Sequence, residues 1–315
     1  MPRSASSAIS ALIVANQWPA QYGAAWAADY HEVMARDEVQ VVNICLPTAL
    51  HLEVAQAAAA AGKHVMIEKP LELNLERATA VIAVCEQHGV KHAAIFNRRF
   101  LFGTRRAHHA IQHGELGRML VADMQFKNWR PAAYYADSGW RGTWAREGGG
   151  ALINQGIHGV DLLTWIAGPI RYVQGYARHL HHSIEADDTT IAVCEYESGA
   201  LGIIQVATSV SPRQPDYLEF HGEKGTIILE NYQIAQWDVL DSEPGEPTAE
   251  ELAFPGTGQG TNVGHFLQIQ DMVQAVREDR DPVITGTDAL HSLAVVQAIY
   301  SAAYTHRRVK VPSTT

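Results

Sequence analysis

"QVVNICLPTALHLEVAQAAAAAGKHVMIEKPL", Gln40 to Leu71, sets the architecture of the first third of this 315-residue chain. Gln40–Leu46 is a continuous apolar run of strand length that ends at Pro47, and His64–Glu68 is a second that ends at Pro70. Between them, His51–Ala61 is Ala-rich and helical in pattern, and Gly62 stops it. Short apolar runs without alternation suit strands buried on both faces. The same order continues outward. Asn74–His88 reads as a helix stopped by Gly89, Val90–Phe96 as a third strand, and Arg98–His113 as a helix entering the turn "HGELG". Strand, helix, strand, helix, strand with short turns predicts a parallel sheet wound with helices.

The texture changes near Arg118. In Leu120–Trp129, Leu120, Ala122, Met124 and Phe126 fall on one face, with Asp123, Gln125 and Lys127 on the other, the pattern of a sheet with one wet face. Strand-like runs recur at Tyr172–His179, Thr189–Tyr196, Ala200–Thr208, Leu218–Gly222 and Thr226–Glu230, with turns such as "ESGA" and "GEKGT" that predict an antiparallel meander. Asp241–Thr261, rich in Pro, Gly and acids, reads as a surface loop, and Val263–Glu278 and Asp288–His306 read as helices. The expected fold class is therefore α/β in two domains: a helix-wound parallel sheet over residues 1–118, then an α/β domain over residues 119–315 with a mostly antiparallel sheet.

Composition narrows the function. The chain is 47% hydrophobic and 18% charged, a globular balance, and its length suits two domains. A net charge of -10 argues against nucleic acid or an anionic membrane as partner, though not against an anionic small molecule in a locally basic cleft. Cys45, Cys85 and Cys194 are far apart and form no metal-ligand spacing, so no metal site is expected and the thiols read as buried in a reducing compartment. No apolar run reaches a membrane span. The segment Met1–Gln17 has only a short, Ser-interrupted apolar run and no clear cleavage site, which predicts a cytoplasmic protein.

Ligands of wound parallel sheets bind at the carboxyl ends of the strands. Here those ends carry "LPTALH" (Leu46–His51), "EKP" (Glu68–Pro70) and "FNRRF" (Phe96–Phe100), three polar sets along one rim. Further on, "GGGALINQGIHGVD" (Gly148–Asp161) opens on three glycines and then spaces Asn154, His158 and Asp161 by four and three, which aligns them on one helical face. His158 can exchange a proton near neutral pH. Asn154 cannot, though it can donate and accept hydrogen bonds. Upstream, "KNWRPAAYYADSGWRGTW" concentrates Arg130, Tyr134, Tyr135, Trp140, Arg141 and Trp144, groups that suit stacking on sugar rings and holding a carboxylate or phosphate, or packing between domains.

An Ala-rich helix, then "AGKHVMIEKPL", a helix, "NRRF" and, about eighty residues after the EKP, "WRGTWAREGGGALINQGIHGVDLLTWIAG" together resemble the Gfo/Idh/MocA oxidoreductases. The resemblance implies a Rossmann-type nucleotide-binding domain followed by an α/β domain with a large, mostly antiparallel open sheet, and an NAD(P)-dependent enzyme acting on sugars, cyclitols or nucleotide sugars, with hydride transfer between a carbinol carbon and nicotinamide. It implies that Lys69 sits beside the nicotinamide and the reacting carbon, where burial and a positive ring lower its pKa; a strand-end cap paired with a surface acid is the competing role. It implies that Pro47, Thr48, His51, Glu68, Lys69 and Pro70 line the cofactor, with Asn97 and Arg98 toward the nicotinamide, although His51 also suits a helix start. Lys69, His158 and Asn154 would be the catalytic set, with an Asp common among relatives at position 154. Arg130, Tyr135, Trp140, Arg141 and Asp161 would meet substrate, and the second sheet would build a homodimer or homotetramer. No GxGxxG occurs in the sequence: Gly148 and Gly150 begin the pattern but Ile153 ends it, and "GTGQGT" fails at Thr261. The likeness begins near Ala24–Tyr30, which predicts an N-terminally incomplete nucleotide-binding domain, with "QVVNICL" as an edge strand unless Ile9–Ala15 replaces the first one. That leaves NAD or NADP as the expected cofactor, without the loop that holds its pyrophosphate. The alternatives are an NAD-assisted lyase or glycosidase and a cofactor-deficient sugar-binding or oligomerisation protein.

Overall fold

The computed structural model describes residues 23–246 and 262–314. Met1–Gln17, with Ile9–Ala15 inside it, and most of the 241–261 loop lie outside the described residues, and so do the expectations placed on them.

A short helix α1 (Tyr30–Met34) precedes the first β–α–β–α–β run. Its elements are β1 (Val41–Ile44), α2 (His51–Ala60), β2 (His64–Ile67), α3 (Leu75–Gln87) and β3 (His92–Ala94). The three strands form a parallel sheet in the order β1-β2-β3, with β1 at its edge among the described residues. Their continuous apolar character follows from burial on both faces. Val65, Ile67 and Ala94 join the main core with Val54, Ala55, Ala58 and Ala59 of α2, while Met66, Ala93 and Ile95 meet Met272 on the opposite side. Asn74 caps α3 by accepting the Arg77 amide at 3.0 Å, which fixes the helix start one residue after the expected position.

The helix expected over Arg98–His113 divides. Asn97–Phe100 forms a single 3₁₀ turn, Leu101 is extended, and α4 runs from Phe102 to Gln112. The break turns Arg98 and Arg99 in different directions.

The second sheet has eight strands: β4 (Met119–Lys127), β5 (Ile170–Arg178), β6 (Thr189–Tyr196), β7 (Leu201–Ala207), β8 (Tyr217–Gly222), β9 (Gly225–Glu230), β10 (Gln233–Val239) and β11 (Val309–Lys310). Their order is β10-β9-β8-β4-β7-β6-β5-β11. Two antiparallel meanders, β5-β6-β7 and β8-β9-β10, flank β4, which runs parallel to β7 and antiparallel to β8. The expected meander is thus two, split by the first strand of the domain. Ala122, Met124 and Phe126 face inward as the alternation predicts, but Leu120 is 39% exposed. A register shift against β8 between Met119 and Val121 inserts the extra residue that turns Leu120 outward and buries Met119 instead.

Between the sheets lie two short helices, α5 (Ala132–Ala136) and α6 (Trp144–Glu147), and the longer α7 (Ile157–Ala167). Helix α7 crosses the inner face of the large sheet closely enough that a Cβ on Gly159 would meet Phe126 at 2.7 Å. Two long helices close the fold. In α8 (Asn262–Arg277), Met272 covers the parallel sheet; α9 (Gly286–Thr305) packs on α7, α3 and β5 after a capping box from Thr285 and Asp288. No helix of the described residues is long and apolar enough to cross a membrane. Cys85 and Cys194 are buried free thiols; Cys45, the residue after edge strand β1, departs from the expectation and is exposed.

Candidate active site

The glycine run does not cradle a phosphate. Its backbone amides are taken by a carboxylate of the protein itself: Asp187 Oδ1 accepts the Gly150 amide at 3.0 Å, Oδ2 accepts that of Leu152 at 2.9 Å, and the Asp187 carbonyl accepts that of Ala151 at 2.7 Å. Tyr300 and Thr190 hydroxyls donate to the same carboxylate at 2.7 and 2.8 Å. A Cβ at Gly150 would lie 2.0 Å from the Asp187 carbonyl oxygen, so glycine is required there for close approach rather than for a ligand.

After the glycines the chain makes one wide π turn, Leu152–Gly156, before α7 begins. Such turns insert a residue into the helical ladder and shift the phase of every later position on the helix. Asn154 and His158 still reach the cleft between the two sheets, but Asp161 does not. It is 1% exposed and accepts Arg99 Nη2 at 2.6 Å and Arg99 Nε at 2.8 Å, with Asp288 at 3.3 Å as the guanidinium's second partner. Asp161 thus orients a partner, Arg99, and anchors the turn after β3 to α7.

Lys69 stands at the end of β2 and reaches across the cleft, its Nζ donating to the Asn154 carbonyl at 2.8 Å. Burial pulls its pKa down from 10.5 to about 8, with Glu68 opposing, Arg98 reinforcing, Glu147 opposing and Arg130 reinforcing. His158 is held well below its ordinary value, first by burial and then by the charges of Arg98 and Lys69, so its ring is neutral at pH 7. It meets Phe96 edge-on at 6.0 Å, and its Nδ1 is buried without a partner.

The aromatic and arginine segment forms the opposite wall. Arg130 lies 5.1 Å and Arg141 4.2 Å from the Tyr134 ring centroid, while Arg141 also stacks on Trp140 at 5.0 Å. Arg130 Nη2 donates to Gln155 Oε1 at 2.7 Å, and Gln155 Nε2 donates to the Tyr134 hydroxyl at 3.2 Å and to Asn154 Oδ1 at 2.7 Å. Tyr135 bonds Thr208 Oγ1 at 2.7 Å, and Trp144 packs edge-on against Tyr300 at 5.0 Å. Arg98 turns away from the rim onto the Tyr232 ring, 4.3 Å from its centroid, and donates to the Tyr232 hydroxyl. The Nε atoms of Arg98, Arg130 and Arg141 are buried and unpartnered, as is His158 Nδ1. Buried polar atoms in this state call for a partner; Arg98, Arg130 and His158 lie within electrostatic reach of Lys69, and Arg141 lies on the aromatic wall.

The remaining rim residues divide. Pro47, Glu68 and Lys69 are partly open. Thr48, His51 and Asn97 are 3%, 1% and 1% exposed, and Pro70 is buried. The His51 ring lies between the Leu46 carbonyl at 2.9 Å and the Leu71 carbonyl at 3.2 Å, and burial lowers its pKa, so the neutral ring's single N–H donates to one of the two and the side chain packs inside the strand-end loops instead of lining the cleft. Asn97 is engaged by His265 of α8 at 3.0 Å. Glu147 went unrecognised in the sequence, where it is an acid before three glycines. It is 1% exposed, accepting the Asn154 side-chain amide and the Gly142 backbone amide, and burial raises its carboxyl above the ordinary value.

Residues 5–96 match the oxidoreductase family with an NAD-binding Rossmann fold, and residues 104–228 match the GFO/IDH/MocA C-terminal domain. The chain belongs to the Gfo/Idh/MocA oxidoreductase family. Myo-inositol 2-dehydrogenase of Thermotoga maritima is 26% identical over 292 residues, 90% of this chain and 83% of that protein. Levoglucosan dehydrogenase of Pseudarthrobacter phenanthrenivorans is 25% identical over 327 residues, with the same coverage of 90% and 83%. The WlbA dehydrogenase of Bordetella pertussis, solved with NADH and UDP-GlcNAcA, superposes with a TM-score of 0.84 at 29% identity, over 95% of this chain and 87% of that one.

Proposed function

We propose that this oxidoreductase, of the sugar-dehydrogenase type, oxidises a carbinol carbon of a polyhydroxylated ring with NAD as hydride acceptor. The observation that carries the reading is the Lys69–Asn154 contact of 2.8 Å, which brings the strand-end rim of the parallel sheet and the His158 turn to one point. NAD, when bound, accepts the hydride. Pro47, Glu68 and Lys69 would hold its nicotinamide half along the rim, and the unpartnered donors on the wall are compatible with a ligand there. A carbinol loses hydride readily only as its hydroxyl loses a proton, and Lys69, its pKa lowered to about 8, would take that proton. His158, neutral at pH 7, would orient the hydroxyl through its free ring nitrogen. Arg130, Tyr135, Trp140 and Arg141 would face the rest of the substrate, the two arginines favouring one that carries a carboxylate or phosphate.

Calorimetric titration with NADH tests this directly. Saturable binding at or below roughly 1 mM is expected, the upper end of typical enzyme Michaelis constants. Heats no greater than dilution for both NADH and NADPH would leave the scaffold a cofactor-free sugar binder.

A second copy is proposed to cover the outer face of the large sheet, where Tyr176, Ile191, Val193, Leu201 and Ile203 lie exposed on adjacent strands. A continuous exposed apolar face of this kind marks an association surface. Val193→Lys combined with Ile203→Glu is expected to convert a dimer or tetramer to a monomer by light scattering. A wild-type chain that is monomeric at micromolar concentration would end this proposal.

A further inference from the structure

Lys69 faces four charged side chains: Glu68 from its own strand end, Arg98 from the turn after β3, Arg130 from the aromatic wall, and Glu147 from α6. His158 on α7 also feels the lysine. Two carboxylates thus face two guanidiniums. They are not equivalent, because Glu68 is partly open to solvent while Glu147 is 1% exposed. A charge in a dry setting acts on its neighbour far more strongly than one that water screens.

Glu147 is also built into the backbone that Lys69 touches. One of its carboxylate oxygens accepts the Gly142 amide, and the other accepts the Asn154 side-chain amide. The Asn154 carbonyl accepts the lysine at 2.8 Å, and Asn154 Oδ1 is held by Gln155, which Arg130 holds in turn. Asn154 has no charge of its own. It passes the position of Glu147 to the lysine, whereas the field comes from Glu147. Groups facing Glu147 itself are Lys69, Arg141 and the Asn154 amide, with the Tyr134 and Tyr135 hydroxyls nearby.

We infer that Glu147 is a positioning residue for Lys69: linked to it through Asn154, it supplies the buried negative charge that favours the protonated amine. Without that charge, burial and two guanidiniums would act on Lys69 against Glu68 alone. The consequence for turnover rests on the proposed dehydrogenation; the effect on Lys69 does not.

The test therefore reads Lys69 without substrate or cofactor. Competitive acetylation with acetic anhydride from pH 6 to 11, with Lys69 followed by peptide mass spectrometry, reports the fraction of free amine. Wild type is expected to titrate near 8. Glu147→Gln keeps the shape and removes the charge, and is expected to shift the Lys69 midpoint down by about one unit, the low end for an opposite charge at close range. Glu147→Gln with Asn154→Asp restores a carboxylate one residue along the same hydrogen bond, with donor and acceptor exchanged, and is expected to return the midpoint to the wild-type value. An unchanged midpoint in Glu147→Gln overturns the inference. So does a shift that the double variant fails to reverse, because a merely structural glutamate would behave that way. If Glu147→Gln does not fold, the double variant must still fold and titrate as wild type. Absence of NADH binding with this labelling pattern intact would sink the dehydrogenase reading alone.

Discussion

Lys69→Met is expected to lower kcat by roughly 10²–10⁴, the usual worth of a positioned acid or base. The lysine reaches the Asn154 carbonyl at 2.8 Å, so its ammonium sits where the two halves of the cleft meet, and its pKa of about 8 lets it change state near neutrality. Alcohol oxidation needs the free amine, so kcat/KM in that direction should rise with pH through about 8 and level above it. Carbonyl reduction needs the ammonium and should fall over the same interval. The methionine variant should lose this limb in both directions. Stability provides the control. A lysine whose pKa falls from 10.5 to about 8 on folding destabilises the fold below pH 8 and recovers as pH rises toward 10.5. Methionine removes that penalty, so Lys69→Met should melt no lower than wild type at pH 7. A kcat within threefold of wild type would take Lys69 out of the mechanism.

The strand ends carried most of what the sequence could reveal. Buried parallel strands are nearly uninterrupted apolar runs, and Pro47, Gly62 and Pro70 punctuate β1, α2 and β2, so their rim residues could be found by counting. What escaped depends on geometry that spacing does not encode. Helical phase predicted Asn154, His158 and Asp161 on one face; the π turn at Leu152–Gly156 alters only the phase of Asn154 against the other two, and Asp161 is held in the interior by Arg99, a partner distant in sequence that spacing does not encode. The register shift at Met119–Val121, equally unsignalled, turns Leu120 outward in a strand. Glu147 was invisible because an acid beside glycines usually faces water; only the fold of Gly142 and Asn154 around it makes it a buried group. Asp187, thirty-five residues beyond the Leu152 amide it holds, has no local signature at all.

Asp161→Ala should destabilise the protein by about 3–5 kcal/mol, the usual cost of removing one member of a buried ion pair. Asp161 is 1% exposed and Arg99 8%, and the guanidinium makes two short bonds to this one carboxylate. Its second partner, Asp288, is 3.3 Å away and 33% exposed, too wet to compensate fully. Most of the loss would thus come from stranding Arg99 rather than from forfeiting the attraction, and this distinction has its own measurement. Arg99→Met with Asp161→Leu removes both charges and fills the space with apolar atoms, and should recover most of the urea midpoint lost in Asp161→Ala. The pair joins the turn after β3 to α7, so the single variant should also loosen the registration of Lys69 against His158, lowering kcat in the folded fraction. If Asp161 instead met substrate, the alanine variant would raise KM with stability within about 1 kcal/mol of wild type, an outcome that the buried geometry forbids.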